Sequence, residues 1–412
     1  SGQKECRYYD SLGEAQAGYH SIYNQKTAPR KGYKEVSLAA SNIGSQKARG
    51  TSSGEVDEKT LAKIEEAEKE KAGKKKKEPP KTLDLHAKIR SLVEYVFAEA
   101  TNALTTTVNA KITANGIETP LGILTIGQIE KGEDILDEAY ALFNKKRARN
   151  RADRLEQLTG EFYTLIPHRI GRTRAAIADS VIDSLEKFGE KQETLQLMKD
   201  MLQVAGEGEE NVLFNQQIDQ QYLSLKCHLD YVEKKSDEFK EIEAYVINSQ
   251  VQSKSIKVRE VYKVKRPAEE EKFTSHIGNQ QMLFHGSRIQ NWVGLLSRGI
   301  LMPKVVVKMG VNRTDAGWLG NGIYFGNAAC TSEFYTTAGG RSTRLLAINS
   351  VALGKVKKYK KITYGITEPP KGFDSCHGIR HTLLNRSEFA DDEIVIYNDA
   401  QQKMEYLVEF KS

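Results

Sequence analysis

Residues 283–303 read LFHGSRIQNWVGLLSRGILMP, and residues 313–335 read RTDAGWLGNGIYFGNAACTSEFY. Met282–Phe284 is a short apolar segment that ends on His285-Gly286-Ser287. That is the pattern of a buried strand delivering an imidazole at its mouth, with a glycine through which a ligand can approach the backbone. Ile289, Trp292, Val293, Leu295 and Leu296 then recur at helical spacing, and Gly299 is the stop signal. The second run sets Gly317, Gly320, Gly322 and Gly326 around Trp318 and Tyr324, and Ser332 and Tyr335 follow. These groups suit a pocket for a flat polar ring. Gly286 supplies a backbone N–H and C=O for an amide, Ser332 a hydroxyl, and Tyr324 and Tyr335 π faces. The same residues also fit ordinary packing, as a turn after a strand and half-buried tyrosines, and pattern alone leaves both open.

Around these runs the chain reads as strands with few helices. Lys254–Arg266 alternates, with Ile256, Val258, Val261 and Val264 interleaved with charge. Leu345–Val351 and Glu393–Tyr397 are further strands. Lys403–Phe410 is another, with Met404, Tyr406, Val408 and Phe410 alternating. The glycines of residues 317–322 lack G-x-G-x-x-G spacing and sit in no strand–helix–strand unit, which excludes a doubly wound dinucleotide fold.

Three motifs in order resemble the catalytic domain of the poly(ADP-ribose) polymerases, the ADP-ribosyltransferases of the His-Tyr-Glu type. They are His285-Gly286-Ser287, then Gly322-Ile323-Tyr324-Phe325 with the Ser332…Tyr335 pair, then Asp392-Glu393-Ile394-Val395-Ile396-Tyr397 followed by Ala400-Gln401. The runs RGILMPKVV, RTDAGWLGNGIYF and PPKGFDSCHGI carry a narrower likeness to the vault-associated branch of that family. The resemblance implies an α+β protein, an all-helical regulatory domain followed by a mainly antiparallel two-sheet ADP-ribosyltransferase domain. It implies NAD⁺ as substrate, with no metal, and Glu393, His285 and Tyr324 as the catalytic residues. By the same likeness His285 binds a ribose hydroxyl, while Gly286 and Ser332 hold the carboxamide. Tyr335 stacks on the nicotinamide, Tyr324 closes the opposite side, and Ser287 and Asn291 line the adenosine half. A family arginine near the adenine falls on Leu301 here, which implies a differently arranged adenine end.

The chemistry implied is attack at the ribose C1′ as nicotinamide leaves. Nicotinamide departs neutral and needs little acid help. The ribose becomes oxocarbenium-like, so a carboxylate that steadies positive charge and polarises the acceptor is the useful catalyst. Glu393 is the candidate; read alone, it only starts an edge strand. The His-Tyr-Glu set implies elongation onto ADP-ribose itself. The polar loop Lys304–Ala316 differs from that of polymer-forming members and leaves single transfer open.

Composition sets the frame. The 412 residues, 39% hydrophobic and 28% charged, suffice for more than one soluble domain. No apolar run approaches the roughly 20 residues of a membrane helix. Cys6, Cys227, Cys330 and Cys376 form no C-x-x-C pair, so zinc is not indicated, and they read as reduced thiols of a cytoplasmic or nuclear protein. The net charge of +6 is mild and concentrated at Lys74–Lys77.

The chain opens on Ser1 rather than Met and reads as a piece of a longer protein. Residues 1–50 resemble the trailing half of a WGR-type domain, without its Trp-Gly-Arg signature; a small helical extension is the alternative. There Ser11–Tyr23 reads as a helix with Leu12, Ala15, Tyr19 and Ile22 inward. Residues 51–82 are a charged linker closed by Pro79 and Pro80. Residues 83–206 read as helical, with Leu85, Ile89, Leu92, Val93, Val96, Phe97 and Ala100 as one stripe. Thr125 and Gln128 have capping-box spacing, and a helix follows through Leu142. TPLGILTIGQI and EFYTLIPH resemble the family's regulatory domain, which implies a helical lid over the NAD⁺ cleft that an activating partner loosens. His168 reads as structural. Gly206-Glu207-Gly208 marks a boundary, and the catalytic domain is expected over 212–412. The partners implied are protein acceptors, a nucleic-acid activator and a vault-type ribonucleoprotein particle, with no membrane. A non-catalytic NAD⁺ or ADP-ribose reader and a nucleic-acid scaffold are the competing readings.

Overall fold

The computed structural model of the chain describes residues 12–27, 83–113, 116–120, 122–145, 150–171, 173–205, 218–251, 255–302 and 317–412. The linker over 51–82, the glycine-rich boundary at 206–208 and the loop over 304–316 lie outside the described residues.

The first helix, α1 (Leu12–Thr27), buries none of its described side chains. Tyr19, expected inward, is 61% exposed. The helical domain begins with α2 (Ala87–Thr107), whose apolar stripe forms as the 3–4 spacing dictates: Ile89, Leu92, Val93, Val96, Phe97 and Ala100 are all buried. Leu85 lies just before the helix. Next come β1 (Lys111–Thr113), β2 (Gly116–Thr119) and β3 (Gly122–Ile123), a small antiparallel sheet. This corrects the all-helical expectation. Gly116 and Gly122 take φ of 123° and 118°, which bars a helix here, and β-branched Ile112, Thr113, Ile117 and Thr119 favour strands.

Helix α3 (Ile126–Asn144) starts on the expected capping box. Gln128 N–H donates to Thr125 Oγ1 at 3.2 Å, and Thr125 N–H donates to Gln128 Oε1 at 2.9 Å. Such a cap is worth about 1 kcal/mol. Helices α4 (Arg151–Leu165), α5 (Arg174–Asp179) and α6 (Leu185–Ala205) continue the domain, and α7 (Ile218–Ser224) follows it. Asp219 of α7 pairs with Arg90 of α2 at 2.9 Å and accepts from Leu83 N–H at 2.9 Å.

The second domain carries a five-stranded sheet in the order β4 (His228–Val232), β5 (Lys257–Lys265), β12 (Gln402–Lys411), β8 (Arg344–Ala352), β6 (Gln280–Gly286), antiparallel throughout. β8, paired on both sides by β12 and β6, is almost wholly buried, which its LLAINSVA run requires. A four-stranded sheet runs β7 (Ile323–Phe325), β11 (Glu393–Ile396), β10 (Ser375–Gly378), β9 (Val356–Tyr359). Only its β9–β10 pair is parallel among the described strands. Helices α8 (Asp237–Ser249), α9 (Pro267–Lys272), α10 (Trp292–Arg298) and α11 (Ala329–Glu333) pack around the sheets. Gly299 ends α10 at φ 88°, as its position predicts.

The sheets meet edge to edge. Phe284 of β6 and Gly326, just past β7, exchange backbone hydrogen bonds at 2.8 and 3.0 Å. The helical domain shares one apolar cluster with this part of the chain, since Ile89, Leu92 and Met198 belong with Trp292, Val293 and Leu407.

Candidate active site

His285 and Tyr324 flank the sheet junction, and each is held there by the local chain. His285 Nδ1 lies 3.0 Å from the Tyr324 carbonyl. A carbonyl only accepts, so Nδ1 carries the proton and Nε2 keeps its lone pair. Burial pushes the imidazole pKa down, which keeps the ring neutral. The Tyr324 hydroxyl donates to Gly320 O at 2.7 Å and accepts from Leu319 N–H at 2.9 Å. A side chain at Gly317 (φ 81°) would strike the Tyr324 ring at 2.3 Å. The glycines of this run therefore clamp the tyrosine between turn and sheet.

Gly286 has a different reason from the one its sequence suggests. A Cβ there would sit 1.9 Å from the Ser332 carbonyl oxygen, so the close approach is by the protein's own backbone. The Ser332 hydroxyl donates to Phe284 O at 3.0 Å, which leaves its oxygen as an acceptor. Tyr335 lies one turn on, its N–H donating to Ser332 O at 3.2 Å, and its ring is 60% exposed.

Glu393 opens β11, which pairs with β7 through Ile394↔Phe325 and Val395↔Tyr324. One residue along, that register sets Glu393 beside Gly326, at the sheet junction. It is 8% exposed, and burial, with Asp391 and Asp392, pushes its pKa up to about 7. Its charge in turn raises the phenol pKa values of Tyr324 and Tyr335, both of which burial raises first. Asp392 differs from its neighbour. Burial pushes it up, but bonds from His377, the Arg380 N–H and Asn327 outweigh that and hold it down at about 2.

A cavity of about 460 Å³ lies on the other side of His285 and Tyr324. Its floor includes Ser287, Asn291, Leu301 and Ile323, and its roof comes from the helical domain, chiefly α6. Two carboxylates on α6 reach the floor. Glu193 accepts from Asn291 Nδ2 at 2.8 Å and pairs with Arg288 at 2.9 Å. Asp200, 2% exposed, takes a two-point bond from Arg298 at 2.6 and 3.0 Å. Asn291 Nδ2 also donates to Ser287 Oγ at 3.1 Å. A Cβ at Gly294 would meet Asp200 Oδ2 at 1.9 Å, so α10 and α6 touch only because that position is bare.

The predicted residues thus form two adjoining groups. His285, Ser287, Asn291 and Tyr324 line the roofed cavity. Gly286, Ser332, Tyr335 and Glu393 cluster at the sheet junction beside it and are outside the cavity lining. Sequence reasoning missed Glu193, Asp200, Arg288 and Arg298. The seven-residue step from Glu193 to Asp200 puts both carboxylates on one helix face, which was the available signal. Among the described residues, no cluster of three or more His, Cys, Asp or Glu is placed to hold a metal.

The poly(ADP-ribose) polymerase catalytic-domain family model matches residues 236–384, and the poly(ADP-ribose) polymerase regulatory-domain model matches residues 84–222. The chain belongs to the poly(ADP-ribose) polymerase family. Glu393 lies beyond the catalytic match. Relatives within the family include the protein mono-ADP-ribosyltransferase PARP4 of Mus musculus, 33% identical over 79% of this chain, and that of Homo sapiens, 34% identical over 79%. Another is the poly [ADP-ribose] polymerase 2-A of Oryza sativa subsp. japonica, 32% identical over 68% of this chain and 42% of its own length. The chain spans only 16% and 18% of the two PARP4 proteins.

Proposed function

We propose that the chain transfers ADP-ribose from NAD⁺ to protein acceptors, releasing nicotinamide, and that the helical domain gates the cleft. The observation that carries this reading is the convergence of His285, Tyr324 and Glu393, from separate strands, on one sheet junction. His285 Nε2 accepts from a ribose hydroxyl. The Ser332 oxygen accepts from the carboxamide N–H, and the Gly286 backbone completes that grip. Tyr324, fixed by Gly320 and Leu319, is one wall, and exposed Tyr335 closes the other by stacking. Glu393 steadies positive charge at C1′ and takes a hydrogen bond from the acceptor nucleophile. A desolvated carboxylate is more effective there than a hydrated one.

Ser287 and Asn291 are the adenosine-side residues, and Glu193 now takes a hydrogen bond from Asn291. Its carboxylate also opposes dinucleotide phosphates, so the closed roof competes with NAD⁺ by bonding and by charge. The likeness to two mono-ADP-ribosyltransferases supports transfer of a single ADP-ribose ahead of the elongation that the triad implies. A nucleic-acid activator and a vault-type ribonucleoprotein particle as partner rest on the sequence likeness, and a place in the cytoplasm or nucleus rests on the cysteine pattern.

The test is labelled NAD⁺ with the intact chain and with Glu393→Gln. Nicotinamide release should fall about 10²–10³-fold in the variant, with one modified band rather than a ladder in the wild type. Equal release by both chains would remove Glu393 from the chemistry. Tight NAD⁺ binding without release by the wild type would favour the reader instead.

A further inference from the structure

Strand β11 is gripped on both sides, and its ladders run out at Glu393. On one side the ladder to β10 ends at the Gly378↔Glu393 pair. On the other the ladder to β7 ends at Phe325↔Ile394, and Gly326 gives both its backbone groups to Phe284 instead. Glu393 is therefore the terminal ladder residue, at the point where the chain enters between its two neighbours. A strand end of that kind frays unless something else ties it.

Asp392 supplies the tie. Its Oδ1 accepts from His377 Nε2 at 2.7 Å and from the Arg380 N–H at 3.1 Å. Its Oδ2 accepts from Asn327 Nδ2 at 3.1 Å. A carboxylate only accepts, so His377 presents Nε2 protonated. The three donors come from β10, from the chain just past β10 and from the turn after β7. One side chain thus fastens the start of β11 to the strands on either side of it, one residue before Glu393. The chain past β10 is fitted to the same spot. A Cβ at Gly378, the register partner of Glu393, would meet the Phe389 ring at 2.5 Å.

We propose that Asp392, held by His377 and Asn327, is a positioning residue that fixes where the Glu393 carboxylate stands relative to His285 and Tyr324. This role rests on the transferase reading and adds a residue that reading does not use. Placement matters there, since a displacement of about 1 Å can cost about 10²-fold in rate. Asp392 also acts by charge. The groups that face Glu393 are Asp391 and Asp392 at the entry of its own strand, Tyr324 from β7 and Tyr335 just past α11. His285 of β6, bonded to the Tyr324 carbonyl, is neutral. After burial, the two aspartates are what oppose ionisation of Glu393. Removing one of them lets that carboxylate form at lower pH.

Nicotinamide release by the full chain is followed between pH 5 and pH 8 in the wild type, Asp392→Asn, His377→Leu and His377→Gln, with a thermal melt of each. Asp392→Asn should lower kcat by about tenfold or more and leave KM for NAD⁺ within about twofold. It should also move the rising limb of the kcat profile to lower pH. His377→Leu should lower kcat as well, and His377→Gln, which keeps a donor, should recover most of that loss. The difference in stability between pH 5 and pH 8 should shrink in Asp392→Asn, a readout that needs no turnover. Folded Asp392→Asn with kcat and pH limb both unmoved overturns the proposal. So does a loss of rate that only tracks the unfolded fraction in the melt, with the limb in place, because Asp392 would then serve the fold alone. Equal nicotinamide release by the wild type and Glu393→Gln would instead remove Glu393 from the chemistry, and the role of Asp392 would fall with it.

Discussion

The roof and the floor of the first cavity are held by different forces. The floor adjoins the sheet junction, which is held by strand pairing and backbone contact: His285 bonds the Tyr324 carbonyl, Gly286 lies against the Ser332 carbonyl, and Phe284 exchanges bonds with Gly326. The Phe284–Gly326 pair cannot part without breaking the junction of the two sheets. Over the cavity the roof is joined to the floor by side chains, through Glu193 to Asn291 and Arg288, and Asp200 to Arg298. Elsewhere the helical domain is fixed more firmly. Helix α2 buries an apolar stripe in the shared core, its Tyr95 hydroxyl donates to Thr343 O at 3.2 Å, and Glu99 accepts from Gly340 N–H at 2.6 Å. Helix α6 also buries Met198 in the cluster that holds Trp292 and Val293, so on the proposed gating the contacts over the cavity, which can exchange for water, part before the apolar ones do.

The largest effect that would break this comparison is at Asp200. Asp200→Ala leaves the largely buried Arg298 guanidinium unpaired, a cost of about 3 kcal/mol. If the roof is the weaker half, that cost falls on closure. Hydrogen exchange should rise over 185–205 but not over β8, and NAD⁺ analogue affinity should increase. Uniform protection loss across both sheets would mean that roof and floor unfold together.

Glu393 gives an effect of similar size at the sheet junction beside the floor, read through pH. Its pKa is about 7 folded and 4.5 as an ordinary glutamate, so between those values the folded chain holds a proton that the unfolded chain has lost. Stability therefore falls as pH rises from about 4.5 to about 7, by up to about 3 kcal/mol, and is level on either side. Glu393→Gln should flatten that slope in denaturant titrations at pH 5 and pH 8, while turnover by the wild type climbs as the carboxylate forms. An identical slope in the variant would assign the pH dependence elsewhere.

Gly286→Ala probes the rigidity of that junction. The new methyl meets a backbone carbonyl rather than a movable side chain, and a loss of about 1–3 kcal/mol is expected in the melting transition. A neutral substitution would show that the Ser332 turn yields. The smallest expected effect is Glu193→Ala on the partly exposed side of the roof. A change of at most about 1 kcal/mol in global stability, with a measurable gain in analogue affinity, would sharpen the distinction between holding the fold and closing the cleft.

Much of this was legible in the linear pattern. Alternation at Lys254–Arg266 and Lys403–Phe410 gave β5 and β12, the Thr125–Gln128 box gave the start of α3, and Gly299 gave the end of α10, because each depends on residues a few positions apart. The small sheet over 111–123 escaped, since its strands are too short to show a period and glycine conformation alone redirects the chain. The site's residue types could be named one by one, but their meeting could not. His285, Tyr324 and Glu393 come together through pairings between β6, β7 and β11, and hydrogen bonds between distant strands leave no local trace. The same holds for Glu193 and Asp200. Periodicity can put them on one face of a helix, but only the packing of that helix over the cavity decides that they face Asn291 and Arg298 rather than water.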